Sequence, residues 1–268
     1  MYIFKTIIIF TLLNITSLTY GQNDSFGIKV IYKMTYQPDS TDTKRLSEYM
    51  ELVSNSKESI FRSTKQAFVD SAKAKQADYD IRANVTPFTY SIVKSYKENT
   101  IAYYNVIAKL AGEIKKYTEK SSAFSWDVQD EIKDINGYNC QKALVNFGNR
   151  FWEAWFTVDI PISDGPYKFN GLPGLIVAIH DSKNCWDFEL VSIQKTGSSD
   201  LDLSFLTPFT ELEKKSYYKE LSYYNVNQVQ INEAAGLLGF PDPKMRDIMI
   251  KRVQEMNKKN NNWIELIP

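Results

Sequence analysis

INGYNCQKALVNFGNRFWEAWFTVDIPISDGPYKFNGLPGLI, residues 135–176, decides how this chain folds. Gln141, Ala143, Val145 and Phe147 alternate with other side chains up to Gly148-Asn149, and residues 151–158 lead out again. A two-residue Gly-Asn link between aromatic and β-branched runs is a strong hairpin signal, because both residues accept the positive φ that such a turn needs. Then Gly165, Pro166, Gly171, Pro173 and Gly174 fall close together. Proline fixes φ and glycine frees it, so this stretch predicts one defined irregular crossing rather than a strand or helix. Residues 175–180 and 186–193, with a turn at 181–184, form a second predicted hairpin. A crossing held between two hairpins is a place where sites sit.

Outward from there the pattern repeats. Residues 28–36 (IKVIYKMTY) alternate with period two, which predicts a strand. Residues 48–53, 59–62, 88–97, 100–107, 113–118 and part of 126–135 are further short strand-like runs separated by turns. Residues 64–79 lack Gly and Pro and are rich in Ala, Lys and Gln, which predicts a surface helix over a sheet edge. Residues 211–224 and 243–259 read as helices, the second with Pro243 suited to a first turn. The fold class expected is α+β and β-rich. An antiparallel sheet built from hairpins, with room for strong curvature, carries a surface helix and C-terminal helices. The last residues, 260–268, read as a tail that packs back.

The first residues, MYIFKTIIIFTLLNITSLTYGQ, set Lys5 ahead of a short apolar run and end in small residues. That is the layout of a cleavable export signal over residues 1–21, with one domain over 22–268. Asn14, Thr16 and Ser17 interrupt the run well short of the ~20 apolar residues that a spanning helix needs. No later stretch is apolar enough to span, so no transmembrane segment is expected in the mature chain. Basic and acidic residues balance at 32 each and are dispersed, so no basic field exists to attract nucleic acid. Tyr (17) and Phe (15) are abundant, which favours pleated, half-buried surfaces.

Reactive residues are few. Cys140 and Cys185 are the two cysteines, and in an exported chain an even count favours a bridge over two separate buried thiols. His180 is the one histidine, beside Asp181 at a strand end. No G-x-S-x-G elbow, H-E-x-x-H pair or paired C-x-x-C accompanies it, and a strand-edge His with a local hydrogen bond is the simpler reading. Asp127, Asp130, Glu131 and Asp134 cluster, as a solvated face does. Residues 165–174 fit neither phosphate-binding glycine pattern. No cofactor and no metal is expected.

The string Gly171-Leu172-Pro173-Gly174-Leu175-Ile176, preceded by Gly137 to Ala143 (GYNCQKA), Ala154-Trp155-Phe156-Thr157, Ile160-Pro161 and Gly165-Pro166, resembles the GLPGLI family of exported proteins from Gram-negative envelopes. The likeness is specific over residues 132–195. The terminal Asn261-Asn262-Trp263-Ile264-Glu265-Leu266 is similar to the family's usual ending, with Trp263 in place of a more typical proline. The resemblance implies an exported, β-rich fold in the periplasm, at the outer membrane or secreted. It implies no activity.

Binding candidates come from the aromatics. On a strand, Trp155 shares a face with Phe151, and Trp152 lies on the opposite face with Phe156. One face turns to the core. The other either lies under a terminal helix or lines an apolar groove lipped by the Gly/Pro crossing. The candidate binding residues are therefore Trp152, Trp155, Tyr167, Phe169, Gly171, Pro173 and Gly174. The expected function is a non-catalytic envelope protein that binds an apolar or peptidic ligand or partner on its sheet. The alternatives are an accessory protein docking another envelope protein through the crossing, and a hydrolase using carboxylates or His180. Gly174→Val is expected to destabilise more than Asp164→Ala, on the argument that a β-branched residue cannot follow the backbone of the crossing.

Overall fold

The alternating runs become strands in the computed structural model, which describes residues 27–266 apart from 79, 81–82, 109–111, 122–123 and 198–200. The export signal read over residues 1–21 lies outside the described residues. In chain order the elements are β1 (Gly27–Tyr36), β2 (Leu46–Ser54), β3 (Glu58–Ser63), α1 (Thr64–Ala74), β4 (Ser91–Ser95), β5 (Thr100–Val106) and β6 (Ile114–Lys120). There follow β7 (Asp127–Ile135), β8 (Tyr138–Phe147), β9 (Arg150–Thr157), β10 (Leu175–Asp181), β11 (Trp186–Thr196), β12 (Phe209–Glu211), α2 (Lys214–Ala234) and α3 (Pro243–Lys259).

All twelve described strands belong to one open sheet, ordered β12-β6-β5-β4-β3-β2-β1-β11-β10-β9-β8-β7. The strands from β1 to β6 step outward in one direction. The chain then jumps to the opposite edge at β7 and steps back inward until β11 pairs antiparallel with β1. Only the short β12 runs parallel to its neighbour, β6. That jump dictates the shape. In a flat sheet β6 and β7 would lie ten strand spacings apart, about 48 Å. The link available is residues 121–126, which reaches at most about 25 Å when fully extended. The sheet must therefore curl strongly, and its concave face encloses an interior.

Alternation selects what enters that interior. From β1, Val30, Tyr32 and Met34 are fully buried, while Lys33 between them is exposed. Met50, Phe61, Ile92, Trp152, Phe156 and Phe188 join them from other strands in one apolar core. Two hairpins close on two-residue turns with both residues at positive φ: Gly148-Asn149 (59° and 56°) and Asn136-Gly137 (56° and 82°).

The helices differ from expectation at three points. α1 stops at Ala74, with Gln76 in the left-handed region at φ 51°, and it touches β2 and β3 rather than a sheet edge. Glu211 belongs to a strand, and α2 begins three residues later and continues to Ala234. Val229 and Asn232 bury there, and the Asn232 amide donates to the Tyr224 hydroxyl, so packing carries the helix through Asn225 and Asn227, which have poor helix propensity. α3 spans the expected residues, with the Asp242 carboxylate accepting from the Lys244 N–H and Pro243 in the first turn. α2 lies against β6, and α3 packs chiefly on α2.

The expected Cys140–Cys185 bridge is corrected: both thiols are free and buried. Cys140 lies on β8 and Cys185 at the entry to β11, with β9 and β10 between them. Three strand spacings are about 14 Å, whereas a disulfide needs Cα atoms within about 7 Å.

Gly174 is required for a different reason from the one expected. Its φ lies outside the left-handed region, and a Cβ there would sit 2.0 Å from the Thr157 carbonyl oxygen of the adjoining strand. Asp164 is itself completely buried, so it is no mild reference. Ser163, exposed beside it, is the proper one. Gly174→Val should lower stability by more than about 3 kcal/mol and Ser163→Ala by less than about 0.5 kcal/mol, measured by urea unfolding.

Candidate functional site

The crossing from β9 to β10, residues 158–174, runs through the curled interior. Pro161, Pro166 and Pro173 have no N–H to give to a ladder, so this backbone leaves the sheet and is fixed by other bonds. Leu175 N–H donates to the Ile160 carbonyl (3.0 Å), Ile176 N–H to that of Asp164 (3.0 Å), and Asp164 bridges to Asn170. From β1, the Tyr32 hydroxyl donates to the Ile176 carbonyl at 2.7 Å.

Two buried ionic centres pin the crossing to the sheet. At the first, Asp164 accepts from the Lys94 ammonium, from Ser59 Oγ (2.5 Å), from the Tyr96 hydroxyl (2.8 Å) and from the Gly165 N–H (2.7 Å). Lys94 also donates to the Gly165 carbonyl (2.6 Å) and the Phe169 carbonyl (3.2 Å). Burial pulls the Lys94 ammonium below the ordinary lysine range, with Asp164 opposing. Burial also raises the Tyr96 phenol, and the Asp164 charge adds to that rise.

At the second centre, Lys168 contacts Glu265 and Glu119 (2.5 Å each) and donates to the Tyr117 hydroxyl at 3.0 Å. Lys214 at the start of α2 bridges the same two carboxylates at 2.9 and 2.8 Å, and the Tyr167 hydroxyl donates to Glu265 at 2.7 Å. Tyr167 holds φ 52°, a conformation that costs a bulky residue about 1–2 kcal/mol and that this bond and the surrounding rings impose. Burial alone would lower Lys168, but Glu265 and Glu119 outweigh it and hold Lys168 above the usual lysine value. Glu265 is the mirror case: burial would raise it, and Lys168 and Lys214 hold it below the usual glutamate value.

A third pair, Arg150 with Asp181 (2.7 Å), fastens the same C-terminal tail through the Asn262 side chain and the Trp263 carbonyl. Among the described residues no buried side-chain nitrogen or oxygen lacks a partner.

The expected aromatic groove is filled from within. Trp152 and Phe169 are fully buried and meet edge to face at 4.8 Å, with the Trp152 indole N–H on the Phe147 carbonyl. Tyr167 is buried against Glu265. Trp155 lies on the outer face, 6% exposed, with the Lys133 and Lys142 ammonium groups over its ring and its N–H on Glu153. Gly174 is buried and Pro173 is exposed. Gly171, at φ 93°, stands at the rim of an open cleft.

That cleft, about 390 Å³, opens where the crossing meets the β2–β3 and β4–β5 turns. Asn55, Ser56, Tyr96, Asn99, Ser121 and Asn170 supply amides and hydroxyls, and Pro161 and Ile162 an apolar wall. Asn170 is held by Ser121 Oγ (2.6 Å) and by its own bond to the Lys168 carbonyl (2.8 Å). The Trp126 indole donates to the Asn170 carbonyl. Ser56, Asn99 and Ser163 spend no side-chain bond on the described residues and face solvent. The single charge in the lining, Lys94, is matched by Asp164. Sequence reading missed the cleft and both ionic centres. The available signal was a lysine inside each of two apolar runs, SIVKS on β4 and PYKFNGL in the crossing.

The other reactive side chains lie elsewhere. His180 is on the outer face, Nε2 3.6 Å from Glu153 and Nδ1 3.2 Å from the Asp181 carbonyl. Burial, with the charges of Asp134 and Asp159, pushes the Cys140 thiol up to about 11, far from a thiolate nucleophile. Asp127, Asp130, Glu131 and Asp134 are exposed on the edge strand β7. Among the described residues no group of three or more His, Cys, Asp or Glu could hold a metal ion.

Two measurements check the ionic centres. Asp164→Ala and Lys94→Met should each cost about 3–5 kcal/mol by stranding a buried charge, and the double variant should cost less than their sum by at least about 1 kcal/mol in urea unfolding. Because the folded Glu265 value is depressed, its contribution is full above its ordinary value of 4.5 and is lost as pH falls through the lower folded value. The stability gap between the native protein and Glu265→Gln should therefore narrow steadily as pH is lowered below about 4.5.

Comparison with known proteins adds three findings. A family model described as "Protein of unknown function (Porph_ging)" matches residues 149–178, which carry β9, the crossing and most of β10. No curated protein matches. Two solved structures, "Structure of PNGF-II in C2 space group" and "Structure of PNGF-II in P21 space group", are 19% identical to this chain, with TM-scores of 0.55 and 0.53. Each alignment covers 74% of this chain and 33% of the solved chain, so this chain spans about a third of the length of those relatives and shares a fold with that part of them.

Proposed function

We propose that this protein is an exported, non-catalytic binding module of the GLPGLI type, and that it recognises ligands in the polar cleft rather than in an aromatic groove. The layout of residues 1–21 supports export to the periplasm, the outer membrane or the medium. Among the described residues no helix is long and apolar enough to cross a membrane.

One observation carries the reading. The open cleft that the crossing helps to wall is neutral, rich in hydrogen-bonding groups and rigidly mounted. Its volume of about 390 Å³ is within the range of small-ligand sites. Asn side chains donate and accept at once, so they pair with groups that do the same, and peptide units are of this kind. Pro161 and Ile162 offer an apolar wall for a flanking side chain. The ligand class is a short, neutral peptide segment. The exposed part of the crossing, including Pro161, Ser163 and Gly171, forms the rim, so docking of a partner through the crossing would use this same surface. A hydrolase built on His180 gains no support from a ring paired with Glu153 on the opposite face of the sheet.

Titration of the 15N-labelled protein with a pool of acetylated, amidated neutral tetrapeptides should shift the amide signals of Asn99, Asn170 and Gly171. The affinity should be nearly independent of salt, since no free charge lines the cleft. Asn99→Gly, which removes the amide and keeps the positive φ of 52° that the turn uses, should weaken binding without changing the fold. Silence at those three amides up to about 1 mM peptide would rule the reading out.

A further inference from the structure

α3 is poorly anchored for its length. Of its 17 residues only Val253 is buried, and two polar contacts moor it to α2: Arg246 on Glu233 (2.9 Å) and the Asn257 amide on the Asn225 carbonyl (2.6 Å). Helices of this length are marginal in water unless packing supports them. Met249 and Ile250 are half-buried on the side of Val253, but three further apolar side chains point away from the protein. Met245, Ile248 and Met256 are 57%, 62% and 61% exposed, and at spacings of three and eight they fall on one stripe with Arg252.

Charge flanks that stripe. α3 carries Lys244, Arg246, Lys251, Arg252, Lys258 and Lys259 against Asp247 and Glu255. Arg246 turns toward α2, and Lys244, Lys251 and Arg252 form no ion pair with the described residues. In a chain whose total charge is zero, this is a local excess of positive charge on one exposed helix. An apolar stripe bordered by unpaired cations is the pattern of a helix that lies in a lipid interface, with its stripe among the acyl chains and its cations at anionic headgroups. A protein groove with a neutral rim would match the stripe alone. Anionic lipid matches the stripe and the charge together.

We infer that the free face of α3 is a docking surface for an anionic lipid bilayer, on which the helix lies flat and holds the protein at the membrane surface. The long side chains of Lys244 and Lys251 reach past the stripe to the headgroups, and the flexible methionines conform to disordered acyl chains. The inference is independent of the cleft.

The test is flotation of the full chain with large unilamellar vesicles of phosphatidylcholine, with or without about one quarter phosphatidylglycerol. The full chain is used throughout, so that any binding through residues 1–21 is common to every sample. Retention on the phosphatidylglycerol vesicles should exceed that on phosphatidylcholine alone. It should fall roughly tenfold in the I248D/M256D variant, and by a similar factor in K251E/R252E or on raising salt to about 1 M. All four positions are exposed, so thermal unfolding should be unchanged and the loss attributable to the surface. Equal retention of native and I248D/M256D chains overturns the inference. So does a dimer that I248D/M256D dissociates while the native chain ignores both vesicles, which would assign the stripe to a second copy.

Discussion

A six-residue link between two strands that stand ten places apart in a twelve-stranded sheet is the constraint from which the rest of this structure follows. Residues 121–126 cannot reach across a flat array, so the array curls, and a curled sheet of this size encloses more space than its own side chains fill. The chain fills the remainder with the crossing between β9 and β10. Trp152 and Phe169, which in an open groove would meet a ligand, instead meet each other. Within the curl, the crossing leaves open space where the filling stops, and there the polar cleft lies.

Filling an interior with backbone brings a penalty that side chains alone would not, because every N–H and C=O taken inside must find a partner. Lys94 answers this directly by capping two carbonyls of the crossing while neutralising Asp164. Lys168 pins the far end by side chains alone, joining Glu119 of β6 and Glu265 of the tail. Buried ion pairs of this kind add little net stability over a well-packed apolar substitute, yet losing one partner is severe. Their effect here is positional: they admit one path for the crossing and so one arrangement of the cleft rim.

The strands were legible because alternation is a local signal, and the paired faces of residues 28–36 and 141–147 reappear as inner and outer faces of the sheet. The irregular nature of the crossing was legible from its prolines and glycines. Which of its residues face inward was not. An aromatic ring looks the same in sequence whether it meets a ligand or another ring; alternation put Trp152 and Trp155 on opposite faces of β9 but left open which of them turned inward, and it is Trp152. Asp164 read as an unremarkable loop acid because its partners Ser59 and Lys94 lie 105 and 70 residues away. The same distance effect misled the cysteine pairing, where an even count says nothing about the two strands between. Helix α2 outran its predicted end because Asn232 and Val229 are supported by tertiary contacts that propensity does not include.

The tail that carries Glu265 has a temporal meaning as well as a spatial one. Asn262, Trp263 and Glu265 supply partners to Arg150, Lys168 and Lys214, and these residues leave the ribosome after all twelve strands. Until they arrive, Arg150 on β9, Lys168 in the crossing and Lys214 on α2 lack part of their counterpart. Sheet, crossing and tail are thus coupled, because residues late in the chain complete the charge balance of side chains set in place far earlier.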